Sequence, residues 1–164
     1  MGYPQTIGKT MPLGFAGTIS RMSDNVIVPY VYDKTNTGNI QYGEPVVFDA
    51  TLGGVRKLAA GDTAASVIGF AVRNASQPKK DADDGWYYEP GETVDVLVRG
   101  SIMVPIAGGD SDIAARGSVY VDVATGLVYG NSTGHVALTN CKFANGKYDA
   151  ANAVAEVTVF ERVM

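Results

Sequence analysis

The chain has 164 residues, 46% of them apolar, with seventeen Asp and Glu against thirteen Lys and Arg for a formal net charge of −4. That length and balance fit one globular domain able to bury a core of its own. They offer no run of about 18 apolar residues for a membrane helix, no charged-then-apolar leader pattern and no basic stripe to neutralise nucleic-acid phosphates.

The excess acid is not uniform. Residues 1–60 carry five Lys and Arg against four Asp and Glu, and residues 61–164 carry eight against thirteen. A single cysteine, Cys141, excludes an internal disulfide and fits a reducing compartment. With His135 as the only histidine, a Cys/His zinc set within one chain is not expected either.

The opening MGYPQTIGKT mimics two motifs and satisfies neither. Gly8-Lys9-Thr10 has the tail of a phosphate-binding loop, but five residues separate Gly2 from Gly8 where four are needed, and the following MPLGFAG is no helix. Gly2 and Thr6 fit a myristoylation pattern, but Pro4 and the lack of a nearby basic cluster argue against it. The segment reads instead as an extended N-terminal arm over residues 1–24, followed by a single β domain over 25–164. The arm carries Met11, Leu13, Phe15, Ile19 and Met22, more apolar bulk than a disordered tail would hold. Burying five such side chains yields roughly 7–15 kcal/mol, whereas fixing twenty-odd backbones costs on the order of 20–40 kcal/mol. Apolar contact alone therefore does not hold the arm. Its backbone must pair with a sheet edge, belonging either to its own domain or to a neighbour.

Beyond the arm, period-two segments alternate with Gly and Pro turns. NVIVPYVYD (25–33) is β-branched and aromatic, with Pro29 pointing to a sheet edge or bulge. EPVVFDA (44–50) and VRKLA (55–59) flank the turn glycines Gly53-Gly54, and SVIGFAVRN (66–74) reads as buried on both faces. ETVDVLVRGSIMVPI (92–106) alternates strictly, with Val94, Val96, Val98, Ile102, Val104 and Ile106 on one face. A straight strand of that length would span about 45 Å, so a bend is expected at Gly100-Ser101. SVYVDVATGLVYG (118–130) reads as a hairpin, VALTNCKF (136–143) and YDA (148–150) as strands around an Asn145-Gly146 turn, and AEVTVFERV (155–163) as the last strand. Residues 59–66 and 111–117 are each long enough for a helical turn or two. The segments GEPVVFDATLGG (43–54) and GSVYVDVATGLV (117–128) echo each other as two similar hairpins. Strands this close without long helices predict an all-β fold: an antiparallel β-barrel or jelly-roll-like sandwich.

Residue types that carry chemistry are sparse. His135 lacks a partner nearby in sequence, and Cys141 alternates with Thr139 and Phe143 as a buried apolar residue would. Asp81, Asp83 and Asp84 faintly resemble a calcium loop, but Trp86 occupies the place of its required glycine. No catalytic, cofactor or metal residues are assigned. WYYEPG (86–91) sets Trp86, Tyr87 and Tyr88 beside a Pro-Gly turn, where they would pack beneath a loop, anchor a protein interface or stack on a sugar.

YPQTIGKTMPLGFAGTISRMSDNVIVP, then GEPVVFD, GGVRKLAAGD, VIGFAVR, GETVDVLVRGSIMV and GSVYVD, resembles the structural cement, or capsid decoration, proteins of tailed bacteriophages. The likeness spans nearly the whole chain and lies in overall layout, not in one diagnostic motif. It implies a virion protein on the outer capsid surface, assembled in the host bacterial cytoplasm. Such a protein binds the major capsid protein, bridges neighbouring capsid subunits and stabilises the shell against internal DNA pressure. It would act without enzymatic activity or cofactor, as a homo-oligomer (dimer or trimer), without nucleic-acid or membrane partners. The resemblance assigns no individual binding residues; the arm and the WYYEPG segment themselves supply the expected interface residues Met11, Leu13, Phe15, Ile19, Met22, Trp86, Tyr87 and Tyr88. The alternative reading is a carbohydrate- or receptor-binding β module on the virion.

Overall fold

The computed structural model describes residues 13–22, 24–74, 86–108 and 112–160. Among these, eleven strands form: β1 (Val26–Val31), β2 (Ile40–Gln41), β3 (Pro45–Asp49), β4 (Gly54–Lys57), β5 (Val67–Ala71), β6 (Tyr87–Tyr88), β7 (Thr93–Pro105), β8 (Ser118–Val121), β9 (Val128–Tyr129), β10 (Val136–Asp149) and β11 (Val154–Val159). Nine of them make one antiparallel sheet in the order β4-β3-β5-β7-β11-β10-β8-β9, with β1 also on β7; β2 and β6 pair as a separate ribbon. No helix among the described residues is long and apolar enough to cross a membrane.

Strand β7 organises the molecule. Its first half pairs with β1, running from Thr93 opposite Val31 to Arg99 opposite Val26. There it also pairs with β5 at Val96 and Leu97. Its second half pairs with β11, from Gly100 opposite Val159 to Pro105 opposite Val154. The expected bend falls between the halves. Gly100 has φ 125°, a conformation side-chain-bearing residues avoid, and a Cβ there would collide with the side chain of Asn25. Beside it, Val26 faces Arg99 while Ile27 faces Leu97, so Val98 is an extra, bulged residue.

The bulge corrects the single-face reading of β7. One extra residue inverts the alternation. Val94 and Val96 enter a core with Tyr32, Val46, Val55 and Ala71, whereas Leu97, Ile102 and Val104 enter a larger one with Val119, Leu138, Phe143 and Val157. Parallel bridges at Tyr32–Val55 and Ile106–Val128 draw the sheet's two ends back toward β1 and β7. The result is the expected all-β architecture, a sheet curled toward a barrel.

Two local expectations give way. The Asn145-Gly146 hairpin does not form. β10 runs unbroken through it to Asp149, with a register slip between Phe143 and Tyr148, and the chain reverses only at residues 150–153. Tertiary packing overrides the turn signal. Asn145 Nδ2 donates to Glu156 Oε2 at 2.8 Å, and Gly146 (φ 66°) lies against the backbone of Ala114 and Ala115 so closely that no Cβ fits. The helix expected over 111–117 is also missing from its described part. Residues 112–117 hold a turn closed by Gly117 N–H donating to the Ala114 carbonyl at 2.9 Å. The segment 59–66 yields a single 3-10 turn at Ala64–Ser66.

Candidate docking groove

Residues 17–20 continue the β1 ladder along the second half of β7. Gly17 N–H donates to the Met103 carbonyl (2.8 Å), Met103 N–H to Thr18 (2.9 Å) and Ser20 N–H to Ser101 (3.0 Å). Ile19 faces Ile102 and packs on the larger core. The described part of the leading segment therefore pairs its backbone within its own domain. Leu13 N–H donates to Asp149 Oδ2 at 3.0 Å. Phe15 and Met22 project outward, 57% and 92% exposed. Met11 lies outside the described residues, as do the acidic turn at Asp81, Asp83 and Asp84.

The ribbon of β2 and β6 sets the second aromatic group. Tyr88, opposite Ile40, is 3% exposed; its hydroxyl donates to the Val72 carbonyl at 2.6 Å and its ring meets Tyr42 edge-on at 5.1 Å. Burial raises the pKa of that hydroxyl, so it stays a proton donor. Tyr88 is thus a core residue, while Tyr87, opposite Gln41, is half-buried. Trp86 is also half-buried and lies beside Phe15, with the Arg73 guanidinium 5.0 Å from the Phe15 ring and 5.5 Å from the Trp86 ring. That cation–π sandwich joins two aromatics far apart in the chain and covers a face of Trp86 that sugar stacking would use.

Phe15 and Trp86 line one open groove of about 740 Å³, with Pro105, Ile106 and Leu127 on its apolar wall. Its buried polar group is Glu44, which pairs with Lys57 Nζ at 3.1 Å and accepts the Gln41 N–H at 2.8 Å. Burial pushes the Glu44 carboxyl above the usual range against the opposing pull of Lys57 and Gln41. Sequence reasoning missed Arg73, Glu44 and Leu127. Each is ordinary in its local context and gains meaning only from what the curled sheet brings beside it.

Elsewhere, Cys141 is fully buried and burial pushes its thiol up to about 12, which leaves it an apolar filler. His135 stacks on Tyr129 with centroids 3.7 Å apart, and its Nδ1 lies 3.3 Å from the Asn131 carbonyl. Among the described residues no three His, Cys, Asp or Glu side chains gather as a metal site would require.

A curled antiparallel sheet with an aromatic-rimmed groove defines an all-β module. The chain belongs to the structural cement protein family of phages: the family model described as "Structural cement protein (E217 gp24/Pam3 gp6)" matches residues 3–160. Among solved structures, a chain of "The capsid of Myoviridae Phage XM1" has the same fold, with a TM-score of 0.69 and 22% identity, over 99% of this chain and 100% of that one. No curated protein matches the sequence.

Proposed function

We propose that this capsid cement protein works from the outer surface of the shell, bridging neighbouring capsid subunits by passive adhesion. The cement role follows from the family match over residues 3–160. That match is the observation that carries the reading. A net charge of −4 favours the outside of a particle over the side facing packaged DNA. The groove between Phe15 and Trp86 is the proposed contact with the major capsid protein; Leu13, Met22 and Tyr87 are proposed as further interface residues outside its lining. Ile19 and Tyr88 serve the fold that positions them. Residues 1–12 form the remainder of the proposed arm. Many copies of a modest contact reinforce a shell through avidity, and self-association as a dimer or trimer would add to it. Nothing in this reading requires turnover of a small molecule.

The test is decoration of emptied, undecorated capsids measured by co-sedimentation. Phe15→Ala and Trp86→Ala each remove an aromatic anchor, and interface anchors of this kind are worth roughly tenfold or more in affinity. Both variants are expected to keep their thermal unfolding midpoint within a few degrees yet leave capsids under-decorated. Full decoration by the double variant would remove the groove from the proposal.

A further inference from the structure

On another face of the molecule lies a second pocket, about 460 Å³, lined by Arg21, Arg116, Lys142, Phe143, Ala144, Thr158 and Phe160. We infer that it is the seat for a carboxylate-bearing segment of the capsid partner, an Asp or Glu next to an apolar side chain. This rests on the cement reading and adds to it a second contact, of opposite chemistry to the aromatic groove.

Three cations converge here on a chain whose net charge is negative. They come from separate elements: Arg21 from the segment before β1, Arg116 from the turn before β8, and Lys142 from β10. One acid, Glu156, answers Arg21 at 2.8 Å and also accepts from Ser20 (2.8 Å) and Asn145 (2.8 Å), so it is already shared among three donors. Lys142 Nζ donates to the neutral Ser118 hydroxyl at 2.9 Å. Among the described residues the pocket therefore keeps a positive surplus. Beside it, Phe160 is 52% exposed, an apolar shelf next to the charges.

The backbone at Arg116 is fixed against β10. Its N–H donates to the Phe143 carbonyl at 2.9 Å, and Phe143 N–H returns a bond to Gly117 at 3.0 Å. Its φ is 60°, a left-handed conformation that Gly or Asn would adopt more cheaply. Strain of this kind on a bulky side chain points to a use for the side chain. The bulge at Asn145-Gly146 is what receives this loop, because only a glycine allows Ala114 and Ala115 so close.

The occupant's chemistry follows from the charge count. With Arg21 already paired to Glu156, the two remaining cations beside the exposed Phe160 ring match one carboxylate and its apolar neighbour, and the Arg116 guanidinium offers a fork suited to bidentate pairing. They are too few and too confined to track a run of phosphates.

The experiment compares Arg116→Gly, Lys142→Gln and the double variant with the wild type on undecorated capsids, across a series of salt concentrations. Arg116→Gly relieves the backbone strain, so its unfolding midpoint should hold or rise while capsid affinity falls. The double variant should lose at least tenfold in affinity and much of its salt dependence. Lys147→Gln, on the same strand outside the pocket, should bind as the wild type does. A poly-glutamate peptide should compete for the wild-type protein, and inorganic phosphate or a single-stranded DNA oligonucleotide at equal charge should not. If the wild type itself fails to bind capsids, the cement reading falls. If the folded double variant binds with unchanged affinity and salt slope, or if DNA competes better than poly-glutamate, only this pocket's assignment is overturned.

Discussion

At the scale of single residues, Glu156 and Gly146 hold two of the sheet's junctions. Glu156, 6% exposed, gathers Arg21, Ser20 and Asn145 at one point. Burial pushes its carboxyl up, but the hydrogen bonds from Arg21 and Ser20 outweigh that and its pKa is lowered overall. A carboxylate with a depressed folded pKa contributes stability above its unfolded value, near 4.3, and loses it as pH falls through the folded one. Glu156→Gln is therefore expected to cost about 2 kcal/mol at pH 7, with the gap to wild type narrowing in acid; urea unfolding at the two pH values measures it. Gly146→Ala places a methyl group against the 114–115 backbone at φ 66°. It should cost about 2 kcal/mol, and a loss below about 0.5 kcal/mol would mean that the loop yields freely.

At the scale of elements, β7 decides the architecture, and its bend at Gly100 was legible because a glycine interrupts an otherwise strict alternation. Gly100→Val should destabilise by about 3 kcal/mol or prevent folding, read from soluble yield and the unfolding midpoint. The bulge at Val98 was not legible: the extra residue is itself apolar, so the period-two pattern runs through it without a mark. The Asn145-Gly146 signal misled for the opposite reason. A strong local turn preference was real, and the same left-handed glycine serves equally in a bulge when a neighbouring loop must come close. The aromatic groove was half legible. Phe15 and Trp86 stood out by type, but Tyr88 has the same type and is core, and nothing local tells a Tyr that meets the Val72 carbonyl from one that faces solvent. Arg73 and Arg116 carry no pattern at all before the fold sets them beside their neighbours.

At the scale of the whole molecule, the leading segment and the sheet are continuous. Residues 17–20 and 26–31 pair along β7, from Met103 back to Thr93. Deleting residues 2–12 leaves that ladder intact, so the truncated protein should unfold at the wild-type temperature, within about 2 °C. If those residues contribute an arm contact, the same truncation should lower capsid occupancy in co-sedimentation; equal occupancy would assign the adhesion to residues 13–160 alone.

The two-part pairing of β7 also has a mechanical meaning. Its second half lies beside both the incoming segment at 17–20 and β11 at 154–159. Tension entering near residue 13 and leaving through β11 runs lengthwise along these ladders, so the bonds stretch together instead of opening one by one like a zip. A molecule stretched from those two points in an optical trap should hold and then rupture in one abrupt event. A gradual, stepwise lengthening would mean that load travels by another route. A cement protein loaded at those two points would transmit tension along the shell until it ruptures.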